Sequence, residues 1–175
     1  VGGPADIMAF PRNEEELAFL FRASKQASLP VTVIGNGSNL IVRDAGIRGL
    51  TIALGDEVSG IEVNGNTITA KAGELLSKIA RTAYNHALTG LEFASGIPGS
   101  LGGGMAMNAG AYGGEMKDVI MVVNHMDLDG ERGSKQGSEL EFSYRHSAYV
   151  DSDLIITSVI FYLKSDNADA VKNRM

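Results

Sequence analysis

The spacing of apolar positions changes several times along the chain, and each change marks an element. In NEEELAFLFRASKQA, residues 13–27, Leu17, Leu20, Phe21 and Ser24 recur at three- and four-residue steps, the period of one buried helix face. Asn13 stands where an N-cap belongs, and three glutamates fill the first turn, where the helix dipole favours negative charge. LPVTVIG then predicts a buried strand entered through Pro30, and NLIVRD and GLTIAL predict two further short strands bounded by turn residues. Residues 1–56 therefore predict a small βαβ-type lobe.

Beyond residue 56 the pattern becomes hairpin-rich. GIEVNGNTITAKAG alternates on both sides of Asn64-Gly65-Asn66, the signal of a tight hairpin. ELLSKIARTAYNHAL, residues 74–88, predicts a second helix with Leu75, Ile79, Ala80, Ala83 and Tyr84 inward. DVIMVVNHMDLDGERGSKQ predicts a hairpin turned at Asp129-Gly130. DLIITSVIFYLKS, residues 153–165, is nearly continuous in apolar character and predicts a central strand. The fold class read from this order is α/β (α+β) with two lobes, residues 1–56 and 57–165, joined near residues 55–60. Residues 166–175 are expected to open a linker to a further domain.

Composition narrows the function classes. The net charge of −6, without any cluster of lysine or arginine, argues against a nucleic-acid or anionic membrane surface. The absence of cysteine removes disulfides and thiolate metal sites and fits a reducing, cytoplasmic compartment. Three scattered histidines make no transition-metal set. No apolar run approaches the roughly 20 residues that span a bilayer, and no signal peptide is visible. The sequence opens without methionine, so a segment upstream of VGGPAD is expected.

Three segments carry candidate chemistry. In VIGNGSNLIVRD a strand runs into Gly35-Asn36-Gly37-Ser38-Asn39, whose small residues can turn several backbone N–H groups toward one point and so hold phosphate without a cationic side chain. A plain strand-to-strand turn is the alternative. The segment lacks the Lys-Ser/Thr of a P-loop and the spacing of a Rossmann fingerprint. The second segment, ASGIPGSLGGGMAMNAGAYGGE, holds eight glycines in 22 residues. Ile97, Leu101, Met105, Met107 and Tyr112 are expected to anchor it, whereas a flexible linker would be polar and serine-rich. Two glycine-rich cradles suggest a ligand with a pyrophosphate and a large flat ring. The third segment, ELEFSYRHSAY, gathers Tyr144, Arg145, His146 and Ser147. The planar fork of Arg145 can hold a carboxylate or enolate oxygen, and a surface pairing with Glu141 or Asp151 is the alternative.

Taken together, VGGPAD, VIGNGSNLIVRD, GIPGSLGGGMAMNAGAYGGE and FSYRHS closely resemble the UDP-N-acetylenolpyruvoylglucosamine reductase family over nearly the whole chain. The resemblance implies a two-lobed FAD-binding domain of the vanillyl-alcohol-oxidase/PCMH type. It also implies a cytoplasmic role in peptidoglycan synthesis, with NADPH reducing FAD and the flavin then reducing the enolpyruvyl ether of a UDP-sugar. By this resemblance Gly35, Asn36, Gly37, Ser38 and Asn39 cradle the FAD pyrophosphate. Gly96, Pro98, Gly99, Ser100, Gly103, Asn108, Gly110, Ala111 and Tyr112 supply further cofactor contacts, and Ile156 and Ile160 flank the adenosine side. Arg145 matches the catalytic arginine that binds the substrate carboxylate and stabilises the enolate, and Tyr144 shapes the substrate pocket. The family's proton-donating serine and a late glutamate belong to a C-terminal domain and match no residue here; Ser147 is no substitute for that serine. The chain alone is therefore expected to be inactive on the substrate, and no metal is expected. The residues leave open a flavin oxidase or dehydrogenase with another substrate, and a non-catalytic nucleotide-binding module.

Overall fold

The computed structural model describes residues 2–175. The chain opens with β1 (Ala5–Ala9), α1 (Glu14–Gln26), β2 (Val31–Ile34) and β3 (Ile47–Ala53). Both β1 and β2 pair in parallel with β3, which takes the centre of a three-stranded sheet. Helix α1 begins where its cap dictates, since Asn13 Oδ1 accepts the Glu16 N–H at 2.8 Å. Leu17, Ala18, Phe21 and Ser24 form its buried face, while Leu20 is half-buried.

A second region follows. It comprises β4 (Ile61–Asn64), β5 (Thr67–Lys71), α2 (Leu76–Asn85), β6 (Leu88–Thr89), α3 (Leu101–Ala106), β7 (Gly110–Ala111), β8 (Gly114–Glu115), β9 (Ile120–Met126), β10 (Arg132–Gln136), β11 (Ile155–Tyr162), β12 (Lys164–Ser165) and α4 (Ala168–Arg174). Its main sheet has the order β10-β9-β11-β5-β4, and every pairing is antiparallel. Val123, Val159 and Ala70 face one another across three strands, and all are fully buried. A register shift between Ile156 and Ser158 explains why the buried positions of β11 run Ile156, Val159, Phe161 rather than strictly alternating. The hairpins at residues 64–67 and 126–132 and the central place of β11 agree with the patterning.

Several expectations need correction. NLIVRD forms no strand; residues 40–43 are loop, and Ile41 is 95% exposed. Its apolar run is unpaired because the parallel sheet is completed by β1, a short and mostly exposed strand at the opposite end of the chain segment. Strand β2 is an edge strand and half-buried throughout, not fully buried. In α2 the inward residue is Leu76, fully buried, whereas Leu75 precedes the first turn and is exposed. Residues 166–175, expected to open a linker, contain the docked helix α4. Val171 is buried there, and Arg174 bonds Glu92 at 3.0 Å and Thr89 at 3.0 Å.

The glycine-rich segment is also more ordered than a loop. Residues 101–106, Leu-Gly-Gly-Gly-Met-Ala, form α3 despite three of the poorest helix formers short of proline. Packing explains two of them. A Cβ on Gly102 would lie 3.2 Å from the Ala72 Cβ, and one on Gly104 would lie 2.7 Å from the Leu76 Cδ1, so α3 seats against the end of β5 and the start of α2 only without side chains there. Leu101 and Met105, fully buried, anchor it. A Cβ on Gly103 would meet nothing within 4 Å, and this third glycine faces open space.

Candidate functional site

That open space is a groove between the two regions. One wall is the loop after β2, residues 35–40, and the other is the segment from Ile97 into α3. The two walls are stitched together. The Asn36 N–H donates to the Ser100 Oγ at 3.2 Å, and the Asn36 side-chain amide donates to the Pro98 carbonyl at 2.8 Å. A Cβ on Gly35 would sit 2.0 Å from the Ser100 Oγ, so this seam closes only with glycine. Ser100 itself is buried.

The groove is about 580 Å³ on the side bounded by residues 35–40, Ile97 and Arg145. An adjoining hollow of about 300 Å³ shares Val33, Ile34, Gly35, Ser100, Gly103 and Ala106 as a common wall and extends to Leu154, Ile155 and Ile156. Arg145 is the one cation among the lining residues of the two, and Asp153 the one acid. Along the loop wall, Gly37 has φ +68°, and a Cβ there would meet nothing within 4 Å. The N–H groups of Gly37, Ser38 and Asn39 donate to no other described residue. A concave, uncharged run of unused amides with a glycine floor at Gly103 suits an anionic linkage recognised through backbone rather than through cations. The residues present therefore fit the pyrophosphate of a dinucleotide such as FAD.

Gly35–Asn39, Pro98, Gly99, Ser100, Gly103 and Gly110 line the larger part of the groove, and Ile156 lines the far hollow. Gly96 and Ile160 do not line it; Ile160 faces Thr69 and Val122 within the sheet. Ala111, Tyr112 and Tyr144 lie with Arg145 around a separate hollow of about 200 Å³, and Tyr112 is 98% exposed and Tyr144 84%. Asn108 borders that hollow, but it is buried and its side-chain amide is fully engaged inside the chain. Arg145 has φ +53°, donates to the Gly110 carbonyl at 3.2 Å and lies over the Tyr144 ring at 5.6 Å. It forms no ion pair with Glu141 or Asp151.

The sequence reading did not find Tyr149, Ser152 and Asp153, which join Leu154–Ile156 at the far end. No spacing signal separates them from an ordinary strand entrance. Tyr149 is buried, and its hydroxyl meets the His125 Nδ1 at 2.9 Å. Burial, with the positive Lys135 adding to it and Asp127 opposing it, holds the His125 imidazole below its usual range. The folded chain therefore favours neutral His125. That contribution is full above the unfolded imidazole value of about 6.5 and is lost as pH falls through the lower folded value. Thermal unfolding from about pH 7.5 down to about pH 5 should show a steeper loss of Tm for the parent chain than for His125→Gln. Parallel decline in the two proteins would remove His125 as the source.

The chain's relationships agree with this geometry. Residues 5–132 match the family model described as FAD binding domain. Over 174 residues the chain is 47% identical to the UDP-N-acetylenolpyruvoylglucosamine reductase of Lactobacillus acidophilus, covering 99% of this chain and 58% of that protein. The crystal structure of UDP-N-acetylenolpyruvylglucosamine reductase from Thermus caldophilus superposes with a TM-score of 0.85 at 35% identity, covering all of this chain and 61% of that one. A glucose dehydrogenase, wild-type Phl p 4.0202, shares the fold alone, with a TM-score of 0.69 at 15% identity over 92% of this chain and 35% of its own. The chain thus spans about 58% of the length of this Lactobacillus acidophilus relative. Among the described residues no helix is long and apolar enough to cross a membrane. With its glycine-walled groove and the match over residues 5–132, the chain belongs to the FAD-binding domain family.

Proposed function

We propose that this chain is the FAD-binding part of a cytoplasmic, NADPH-dependent UDP-N-acetylenolpyruvoylglucosamine reductase of peptidoglycan synthesis. The observation that carries the reading is the placement of Arg145, a lone guanidinium on a left-handed turn and the one charged side chain lining the larger part of the groove. The names of relatives that match over all or nearly all of this chain support it. FAD, when bound, supplies a two-electron relay from a reduced nicotinamide to a carbon–carbon double bond.

The chain's own residues have simpler tasks. The amides of Gly37, Ser38 and Asn39 hold the pyrophosphate, and Ser100 fixes the loop that presents them. Gly103 leaves room for the cofactor to lie against α3. The Arg145 guanidinium holds the substrate carboxylate and stabilises negative charge as it develops on the enolate. The exposed Tyr144 shapes the pocket mouth. A further region of the longer protein covers this end and supplies the acid that completes reduction. Two features support that view: the length of the relatives, and the exposure of Leu40, Tyr112 and Tyr144, which line hollows together with Arg145.

The test is NADPH consumption with UDP-N-acetylenolpyruvoylglucosamine, measured on the full-length protein and on residues 1–175 alone. The full-length protein should consume NADPH in step with substrate, and the shorter chain should not turn over at a useful rate. Turnover by the shorter chain within about tenfold of the full-length rate would place the essential acid inside residues 1–175.

A further inference from the structure

We infer that Asn108 and Ser147 are positioning residues that form a two-point clamp on the turn carrying Arg145; the inference rests on the reading of Arg145 given above. The turn is closed by the Ser143 N–H to the His146 carbonyl at 3.1 Å and the His146 N–H to the Ser143 carbonyl at 3.3 Å. Tyr144 and Arg145 occupy its corner, both exposed. Their own packing cannot hold the turn, and a long side chain at φ +53° is an uncommon conformation that needs support from outside.

The support comes from the C-terminal end of α3, at both ends of the turn. Asn108 donates to the Ser143 carbonyl at 3.0 Å and to the Glu115 carboxylate at 2.8 Å, and its own side-chain carbonyl accepts the Lys117 N–H at 3.0 Å. The buried Ser147 hydroxyl donates to the Ala106 carbonyl at 2.7 Å. Because that proton points into the chain, Ser147 fastens the turn and does not serve as an acid toward substrate. Asn108 also braces the hairpin of β7 and β8 through Glu115, and the Gly110 carbonyl of that hairpin accepts from Arg145. The guanidinium is therefore set from two sides by one buried amide. Asparagine suits the position twice over, because Asn108 itself has φ +43° and its amide can donate two bonds while accepting one. Fully satisfied buried networks of this kind rigidify what they hold.

Two variants separate the clamp from general folding. Asn108→Gly keeps the backbone conformation accessible and removes the side chain that makes the three bonds; Ser147→Ala removes only a hydroxyl. In cofactor-free residues 1–175, hydrogen exchange over residues 141–149 should quicken about tenfold in either variant, with little change in α1 or β11. In the full-length protein each variant should slow substrate reduction about ten- to a hundredfold while still taking up FAD. In an Arg145→Ala background the same changes should add less than about threefold, since they act through Arg145. Unaltered exchange, single-variant rates within about threefold of the parent, or a full additional loss in the Arg145→Ala background would each overturn the clamp. An Arg145→Ala protein reducing substrate at the parent rate would instead overturn the reading of Arg145 on which the clamp rests. If one variant fails to fold, the other carries the same three readouts.

Discussion

In the full-length protein, Arg145→Ala should slow reduction of the proposed enolpyruvyl substrate by about a hundred- to a thousandfold, while FAD uptake and flavin reduction by NADPH should change little. That is the expected result when one preorganised donor to a developing oxyanion is removed, a loss of ~3–4 kcal/mol of transition-state stabilisation. The separation follows from geometry. Arg145 is carried by the turn at residues 143–146, whereas the unused amides belong to residues 37–39 on the loop after β2. Arg145→Lys should recover only part of the loss, because an ammonium lacks the planar fork that pairs with a carboxylate. Stopped-flow measurement of the two half-reactions decides the matter, and equal damage to both would make Arg145 a structural residue.

The second large effect lies in the glycine floor. Gly103→Val should abolish FAD binding and leave the fold intact. The substitution is well placed, because Gly103 lies within α3, an added Cβ there has nothing within 4 Å, and valine is a better helix former than glycine. The valine side chain projects into the groove where backbone now borders open space. Gly37→Val should also lose FAD, with an added penalty for a β-branched residue at φ +68°. Flavin fluorescence titration beside a thermal melt reads both effects. A Gly103→Val protein that melts like the parent and still binds FAD as tightly would move the cofactor out of this groove.

The contrast between Gly103 and its neighbours shows what the residue pattern could and could not convey. Helix α1 was legible because its cap, its acidic first turn and its apolar face all agree. The antiparallel hairpins were legible because local turns set their register. Helix α3 was not, since its conformation is imposed by contacts with Ala72 and Leu76, which lie far away in sequence and override helix propensity. Leu40–Val42 looked like a strand because β-branched residues mark strands, yet pairing depends on which partner is available, and β3 pairs with β1 and β2. The one-residue error between Leu75 and Leu76 reflects a helix start without a side-chain cap.

The site divides in the same way. Gly35–Asn39 and Gly96–Ser100 could be picked out as backbone-rich segments, and the structure brings most of them to one groove. Asn108 looked like a ligand contact because it is a polar residue in a glycine-rich stretch. Its burial and its bonds to Ser143, Glu115 and Lys117 depend on three segments meeting, which no spacing reveals. Tyr149 and Asp153 join the groove only because β11 lies at the centre of its sheet and brings their loop to the end of β2.

The central claim is that the groove seats a flavin whose substrate end is governed by Arg145. Its most direct test is a single turnover. The full-length protein, loaded with FAD and chemically reduced without oxygen, is mixed with UDP-N-acetylenolpyruvoylglucosamine while the flavin absorbance is followed. The account predicts rapid reoxidation with one equivalent of reduced sugar formed per flavin, slowed at least about a hundredfold in Arg145→Ala. A flavin that stays reduced in the presence of this substrate, or one that reoxidises equally fast without the arginine, would contradict it.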